Sequence, residues 1–477
     1  MTKRLCGRQG LAAVLLILLA SILAPEILRA QQRDRRRANR APASKPNSTA
    51  SLDPEIKRIV AEIDAKNTER TVRKLVSFGT RNTLSAQDNP TRGIGAARDF
   101  IYNEFLHIKE QSNGRLTVER QRFEQPVATR IPRPTPITNV VATLRGRQTQ
   151  SQDRIYVVSG HYDSMCGSPT DGECDAPGAN DDASGVAAVL EMARVMAKRE
   201  FDATIIFMAV AGEEQGLLGA AYFAEQAKQK GLNIEAMFTN DIVGNTLGVN
   251  GVRDRRRLRV FSEGVPSDET PEQAKLRQSV GGENDSPARQ LARFIKETSE
   301  RYVPDLHVQI IYRRDRYGRG GDHIPFLERG FAAVRFCEPN ENYNHQHQNV
   351  RSEKGTVYGD LPEFVDFAYI AQVARANAAA LATLARAPAA PKDVRIVTRR
   401  LTNDTDLQWA ANTEPDLAGY EIVWRDTADS LWTNSQMVGG VTSYTMRGMS
   451  KDNYFFGVRA VDQQGHRSRV VFPRPVR

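Results

Sequence analysis

The 477-residue chain is 40% hydrophobic and 26% charged, which suits a soluble protein of two or three domains. Its net charge of +9 is local: residues 1–50 hold ten Lys or Arg against two acids, and the rest of the chain is near neutral. The basic balance therefore describes a tail, and no nucleic-acid partner is expected. In chain order, Lys3, Arg4 and Arg8 precede LAAVLLILLASILA, an apolar run too short for a spanning helix, and Leu28 and Ala30 offer a cleavage site before Gln31. Residues 1–30 thus read as a secretory signal, and the mature chain is expected to be exported, periplasmic or extracellular, with no stable membrane span. Residues 31–50, rich in Arg, Ala, Ser and Pro, read as a disordered basic tether.

Residues 51–386 have a different texture. PEIKRIVAEIDAKNTERTVRKLVSF and GIGAARDFIYNEFLHI have helical periodicity, and LTVERQRFEQ and ITNVVATLRG alternate as strands do. RIYVVSGHYDS predicts a buried strand ending at His161. ASGVAAVLEMARVMAKR predicts a helix with small residues on a packed face. ATIIFMAVAGEEQGLLGAAYFAEQA reads as strand, turn and helix, and AMFTNDIVGN as a strand ending on an acid. Residues 251–287 look like an insertion that either shapes a pocket or is a solvated loop. PARQLARFIKETSERY, HVQIIYRRD, HIPFLERG and FAAVRFCE alternate helix and strand, and LPEFVDFAYIAQVARANAAALATLARA closes with a long helix. This alternation predicts an α/β domain with a mixed, largely parallel sheet flanked by helices. In such a sheet, ligands sit beyond the carboxyl ends of the strands.

APAAP, residues 387–391, reads as a linker. Beyond it, residues 392–477 show short strands and turns without a helix, the pattern of an all-β sandwich. With Trp409, AGYEIVWR and the strand at Tyr454, this stretch resembles a fibronectin type III domain. The resemblance implies a spacer or a binder of polymer or cell surface.

Four cysteines are present. Cys6 leaves with the signal. Cys166 and Cys174 share one loop, where export favours a disulfide. Cys337 follows an apolar run and is expected to be a buried thiol.

The polar residues at predicted strand ends are His161 and Asp163, Asp181 and Asp182, Glu213 and Glu214, Asp241, Asp322 and His323, and His345 and His347. Taken singly, Asp181-Asp182 or Glu213-Glu214 could cap a helix and meet its dipole. Taken together at one sheet edge, so many acids repel one another, and divalent metal resolves the repulsion. Imidazole and carboxylate donors suit zinc.

GHYDS, GANDDASG, AGEEQGLLGA, NDIVG and a late His followed by Gln, in this order, resemble the di-zinc family of exported leucine-type aminopeptidases, over roughly residues 54–386. Glutamate carboxypeptidases and glutaminyl cyclases share that fold. The resemblance implies two zinc ions and peptide substrates with a free N-terminus. His161 and Glu214 would hold one ion, Asp241 and the late histidine the other, and Asp181 would bridge them. Glu213 would be the general base for a metal-activated water, Asp163 would orient His161, and Asp182 would be structural. Both His345 and His347 precede Gln; His347 is preferred as the ligand. The family often has Tyr just before this histidine, where Gln346 stands here. Tyr317 is the substitute hydroxyl for the oxyanion, with Asp322 and His323 as supports of the pocket. The alternatives are a cyclase or carboxypeptidase on the same fold, or a binding protein on a degenerate scaffold; the intact Glu213-Glu214 pair argues against the last.

Overall fold

The computed structural model of the protein describes residues 52–476; the predicted signal and tether lie outside the described residues. The first predicted helical stretch is two helices, α1 (Pro54–Glu62) and α2 (Ala65–Val76). They break at Asp64, whose carboxylate accepts from Lys66 N–H, while Asp53 caps α1 through Glu55 N–H. Each buries one face, Ile56 and Ile59 on α1, Val72 and Leu75 on α2. Helix α3 (Ile94–Glu110) follows.

The central sheet has eight strands: β1 (Leu116–Gln125), β2 (Thr135–Leu144), β3 (Arg154–His161), β4 (Thr204–Val210), β5 (Asn233–Asn240), β6 (Arg257–Phe261), β7 (His307–Ile311) and β8 (Ala333–Cys337). Their order is β1-β2-β4-β3-β5-β8-β6-β7. Strands β4, β3, β5 and β8 run parallel, so their carboxyl ends share one edge. They are apolar along their lengths because helices cover both faces: Val157, Ile205, Phe207 and Phe238 are buried, each contributing roughly 1.5–3 kcal/mol. The predicted α/β class is the one observed.

Helix α4 (Ala183–Met196) is buried almost throughout, and its small residues explain how close it comes to the sheet. A Cβ on Gly160 would lie 2.6 Å from the Gly185 carbonyl carbon, and one on Gly185 would lie 2.2 Å from the Asn240 oxygen. Glycine at both positions lets the start of α4 sit directly over the ends of β3 and β5. Helices α5 (Leu218–Gln229), α6 (Pro271–Val280), α7 (Pro287–Tyr302), the short α8 (Ile324–Leu327) and α9 (Phe367–Arg386) complete the layers.

The stretch 251–287 is more than a solvated loop. It contributes β6 to the main sheet, with Leu258, Val260 and Phe261 buried, and α6, which opens on a Thr270–Gln273 capping box. The run of arginines before Leu258 obscures the apolar alternation in the sequence.

Residues beyond the linker form a four-stranded and a three-stranded sheet. Leu407, Trp409 and Met446 from one sheet and Tyr420, Ile422, Trp424, Phe456 and Val458 from the other share one core, so the predicted β sandwich is observed. The strand Leu417–Asp426 is buried on both faces. Its outer face carries Glu421 and Arg425: Arg425 meets Asp285 in the turn before α7 at 2.6 Å, and Arg459, held by Glu421 at 2.6 Å, meets Glu297 on α7 at 2.9 Å. Trp432 Nε1 donates to Gln290 at 2.9 Å. The linker is itself pinned, with Arg154 donating to the Ala387 carbonyl at 2.7 Å. The sandwich is therefore docked on the α/β domain by paired charge, much of it buried.

One docking contact is titratable. His466 lies between Asp462 (Nδ1 to Oδ2, 2.6 Å) and Asp53 (Nε2 to Oδ2, 2.7 Å). Burial lowers its pKa, but the two carboxylates outweigh burial and raise it to about 9. Because the folded value lies above the unfolded one, this stabilisation is complete below the ordinary histidine pKa of about 6.5 and is lost as pH rises through about 9. The thermal midpoint should fall by a few degrees between pH 6 and pH 9.5, and His466→Gln should lower the pH 6 midpoint and flatten that slope. An unchanged slope in the variant would refute the assignment.

Candidate metal centre

Four of the predicted strand-end residues fall at the carboxyl edge of the parallel strands. His161 ends β3, Glu213 and Glu214 follow β4, and Asp241 follows β5. Asp181 and Asp182 lie at the start of α4, where Asp182 caps the helix through Gly185 N–H at 2.8 Å and accepts from His161 N–H at 3.1 Å. Asp182 is thus the structural acid, joining strand end to helix start.

Asp181 is the centre of the arrangement. Its Oδ1 lies 3.2 Å from His161 Nε2, and its Oδ2 lies 3.0 Å from His347 Nε2. The donor atoms form two groups, His161 with Glu213 and Asp241, and Asp181 with Glu214 and His347, those of each group lying within 4.8 Å of one another. His347 Nε2 is 3.1 Å from Glu214 Oε1, and His161 Nε2 is 3.9 Å from Asp241 Oδ1. The expected pairing of Glu214 with His161 and of Asp241 with the late histidine is therefore reversed. Glu214 follows a strand on one side of β3 and Asp241 a strand on the other, and order along the chain does not reveal which histidine each side faces.

Metal fits these residues on the evidence of an orphaned atom. His161 Nε2 is buried and has no hydrogen-bond partner among the described residues. Its other nitrogen lies 3.1 Å from the Asp163 carbonyl oxygen, the contact that fixes Nδ1 as the N–H donor and leaves the Nε2 lone pair for a cation. Asp163 orients this ring through its main chain; its carboxylate is 3.6 Å away and instead accepts from Glu213 N–H at 3.3 Å, Glu214 N–H at 3.1 Å and Thr83 Oγ1 at 3.3 Å. It holds the Glu-Glu turn in place.

Among the protein groups alone, Arg335 offsets Asp241, and the other donors are offset by protons on the imidazoles. Burial lowers the pKa of His347, yet Glu214 and Asp181 raise it to about 11. His161 is likewise raised well above its usual range, against burial, by Glu213, Asp163, Asp181 and Asp241. Burial raises Glu213 well above the carboxylate range, His161 opposes the rise, and Asp241, Glu214 and Asp322 add to it. A divalent cation in either group would take over the role of the imidazolium proton.

His347, with φ at 50°, is in the left-handed region that non-glycine residues seldom enter, and it joins the cluster. His345 does not; its ring stacks on Phe364 with centroids 3.7 Å apart. Tyr317 is not brought to the cluster either. It is 83% exposed, accepts from Arg313 at 3.0 Å and has that guanidinium over its ring. The glycine-rich turn after it lets the side chain swing out to solvent. Asp322 and His323 are fully buried and lie outside both donor groups. The Cys166–Cys174 disulfide forms as expected, so its sulfurs hold no metal with Asp171, and Cys337 is a buried thiol. The bridged loop supports the site on two sides: Gly167 N–H donates to Asn349 at 2.9 Å, and Gln215 donates to the Pro169 carbonyl at 2.9 Å.

Several supporting residues escaped the sequence reading. Asp360 accepts from Asn180 N–H at 2.9 Å and from Asp181 N–H at 2.7 Å, fixing the backbone of the shared acid. Arg335 pairs with Asp241 at 2.7 Å from inside β8. Arg81 donates to the carbonyls of Tyr162 at 2.8 Å and Gly178 at 2.9 Å, clamping both ends of the loop that joins His161 to Asp181. Only Arg335 left a local signal, a lone charge in an apolar strand.

Histidines and carboxylates gathered around one shared aspartate, at the carboxyl edge of a parallel sheet, define a zinc-type metallohydrolase site. The model of peptidase family M28 matches residues 139–354. A probable zinc metalloprotease of Leptosphaeria maculans is 52% identical over 421 residues, 88% of this chain and 97% of that protein. One of Pyricularia oryzae is 48% identical over 448 residues, 92% of this chain and 89% of that protein. LapA of Legionella pneumophila shares the fold at 18% identity and a TM-score of 0.50, covering 71% of this chain and 79% of that one. The chain belongs to peptidase family M28 and is a zinc metalloprotease.

The placement of the two late histidines can be checked directly. His347→Ala should lose about one of the zinc equivalents that the wild type binds, measured by metal analysis after dialysis, and His345→Ala should keep the full wild-type content. Metal loss from the His345 variant alone would reverse the assignment.

Proposed function

We propose that the protein is an exported aminopeptidase that uses two zinc ions to remove N-terminal residues from peptides. The observation that carries the reading is the division of Asp181, one carboxylate oxygen toward each histidine, with Glu213 alongside. His161, Asp181 and Asp241 would hold one ion, and Asp181, Glu214 and His347 the other. Zinc at such a site acts as a Lewis acid and brings the pKa of a water toward neutrality.

Glu213 is the chain's proton carrier. Its side chain is half-buried and accepts no hydrogen bond among the described residues, whereas Glu214 is engaged by His347. Its backbone N–H is anchored to Asp163, which keeps the carboxylate aimed at the cluster. Burial and neighbouring acids raise its proton affinity, as a general base requires. It takes a proton from the attacking water and delivers it to the leaving amine. The surplus of carboxylates around it favours an ammonium group, which suits a free peptide N-terminus.

Export is supported by the Cys166–Cys174 disulfide and by the predicted signal. No helix among the described residues is long and apolar enough to cross a membrane. The fibronectin type III-like sandwich would act as a docked spacer, or as a binder of polymer or cell surface.

Aminoacyl-nitroanilides assayed with wild type and Glu213→Gln test the reading. Wild type should release nitroaniline from free-amino substrates and spare N-acetylated ones. The variant should bind zinc normally while kcat falls by about 10²–10⁴-fold. Pyroglutamyl product from glutaminyl peptides without hydrolysis would instead establish a cyclase.

A further inference from the structure

The arginines around the metal centre divide into two kinds. Arg81 is spent on main-chain carbonyls, Arg335 on Asp241 and Asp315, and Arg316 and Arg319 on Glu341. Arg130 and Arg133 differ: both are exposed, and neither has a carboxylate partner among the described residues. Both lie between β1 and β2. Because β2 runs antiparallel to β4, this connection rises at the same sheet edge as the metal centre.

The connection has fixed geometry. Ala128 and Ile131 exchange backbone hydrogen bonds at 2.9 and 3.0 Å, Ile131 is fully buried, and Thr135 Oγ1 donates to the Arg133 carbonyl at 2.8 Å. From it, Arg130 donates through one guanidinium nitrogen to the main-chain carbonyl of Glu214 at 2.8 Å. Arg133 donates to the Leu84 carbonyl at 3.2 Å. Each carbonyl orients its arginine without neutralising it, and the remaining N–H donors are left free.

We propose that Arg130, with Arg133 beside it, binds a carboxylate of the substrate and gives the enzyme a preference for anionic peptides. This rests on the aminopeptidase reading. Glu214 presents its carboxylate to His347 and its carbonyl to Arg130, so the guanidinium stands beside the metal centre. An extended peptide advances roughly 3.3–3.6 Å per residue, which puts a carboxylate one or two residues beyond the scissile bond within reach. The planar guanidinium can grip it with two parallel N–H bonds. Beside a crowd of acids, such a group needs a dedicated cation to be tolerated at all. The carboxylate is either the C-terminus of a short peptide or an acidic side chain.

Two substrate pairs separate these sources: Leu-Ala against Leu-Ala-amide, and Leu-Glu-amide against Leu-Gln-amide. Wild type should favour the anionic member of at least one pair by about 10-fold or more in kcat/KM. The ratio should collapse toward one in Arg130→Ala and in Arg130→Met, which keeps the apolar stem, with zinc content measured in each. Calorimetric binding of the same pairs to zinc-loaded Glu213→Gln should show the same preference without turnover. A wild-type ratio near one in both pairs and both assays overturns the proposal, as does a preference that survives both substitutions. Loss of all cleavage with the binding preference intact would instead count against the aminopeptidase reading alone.

Discussion

Repulsion among carboxylates is the constraint on which the structure depends. Asp163, Asp181, Asp182, Glu213, Glu214, Asp241 and Asp322 meet at one sheet edge, most of them fully buried. Two like charges 4 Å apart cost about 4 kcal/mol at the effective dielectric of a protein surface, so the cluster cannot stand without cations. The chain itself supplies His161, His347, Arg81 and Arg335. On the proposed reading, zinc in the two donor groups would supply the remaining compensation, and it would account for His161 Nε2 being buried without a hydrogen-bond partner among the described residues.

Much of the surrounding architecture holds these acids against their repulsion. Gly160 and Gly185 bring the start of α4 down onto β3 and β5, so that Asp182 can bind both the helix and the strand end. Asp163 gathers the N–H groups of the Glu-Glu turn, and Asp360 those of Asn180 and Asp181. These acids act on backbone, leaving the metal-facing carboxylates free. The β sandwich lies outside this logic, but its paired charges against Asp285 and Glu297 follow the same rule: buried charge persists only with a partner.

The sequence was most informative where chemistry is local. Strand β1 and helix α7 were read with their observed bounds, because apolar spacing and flanking polar residues mark them. His161, Asp181, Glu213, Glu214 and Asp241 were legible because each stands at the end of a strand or the start of a helix. What remained hidden depends on tertiary geometry. The partner of each histidine is set by which neighbours flank β3. Asp360 and Arg81 act across long sequence separations with no local pattern to expose them. Tyr317 carried the right functional group in a promising motif, yet its turn directs it into solvent. Strand β6 was obscured by the arginines before it.

The central claim is that Asp181 is shared between two metal sites with fixed partners. Anomalous scattering at the zinc edge from crystals of the zinc-loaded protein tests it most directly. The account predicts two peaks flanking Asp181, one beside His161 and Asp241 and the other beside Glu214 and His347. A single peak, or a peak joining Glu214 to His161, would contradict it.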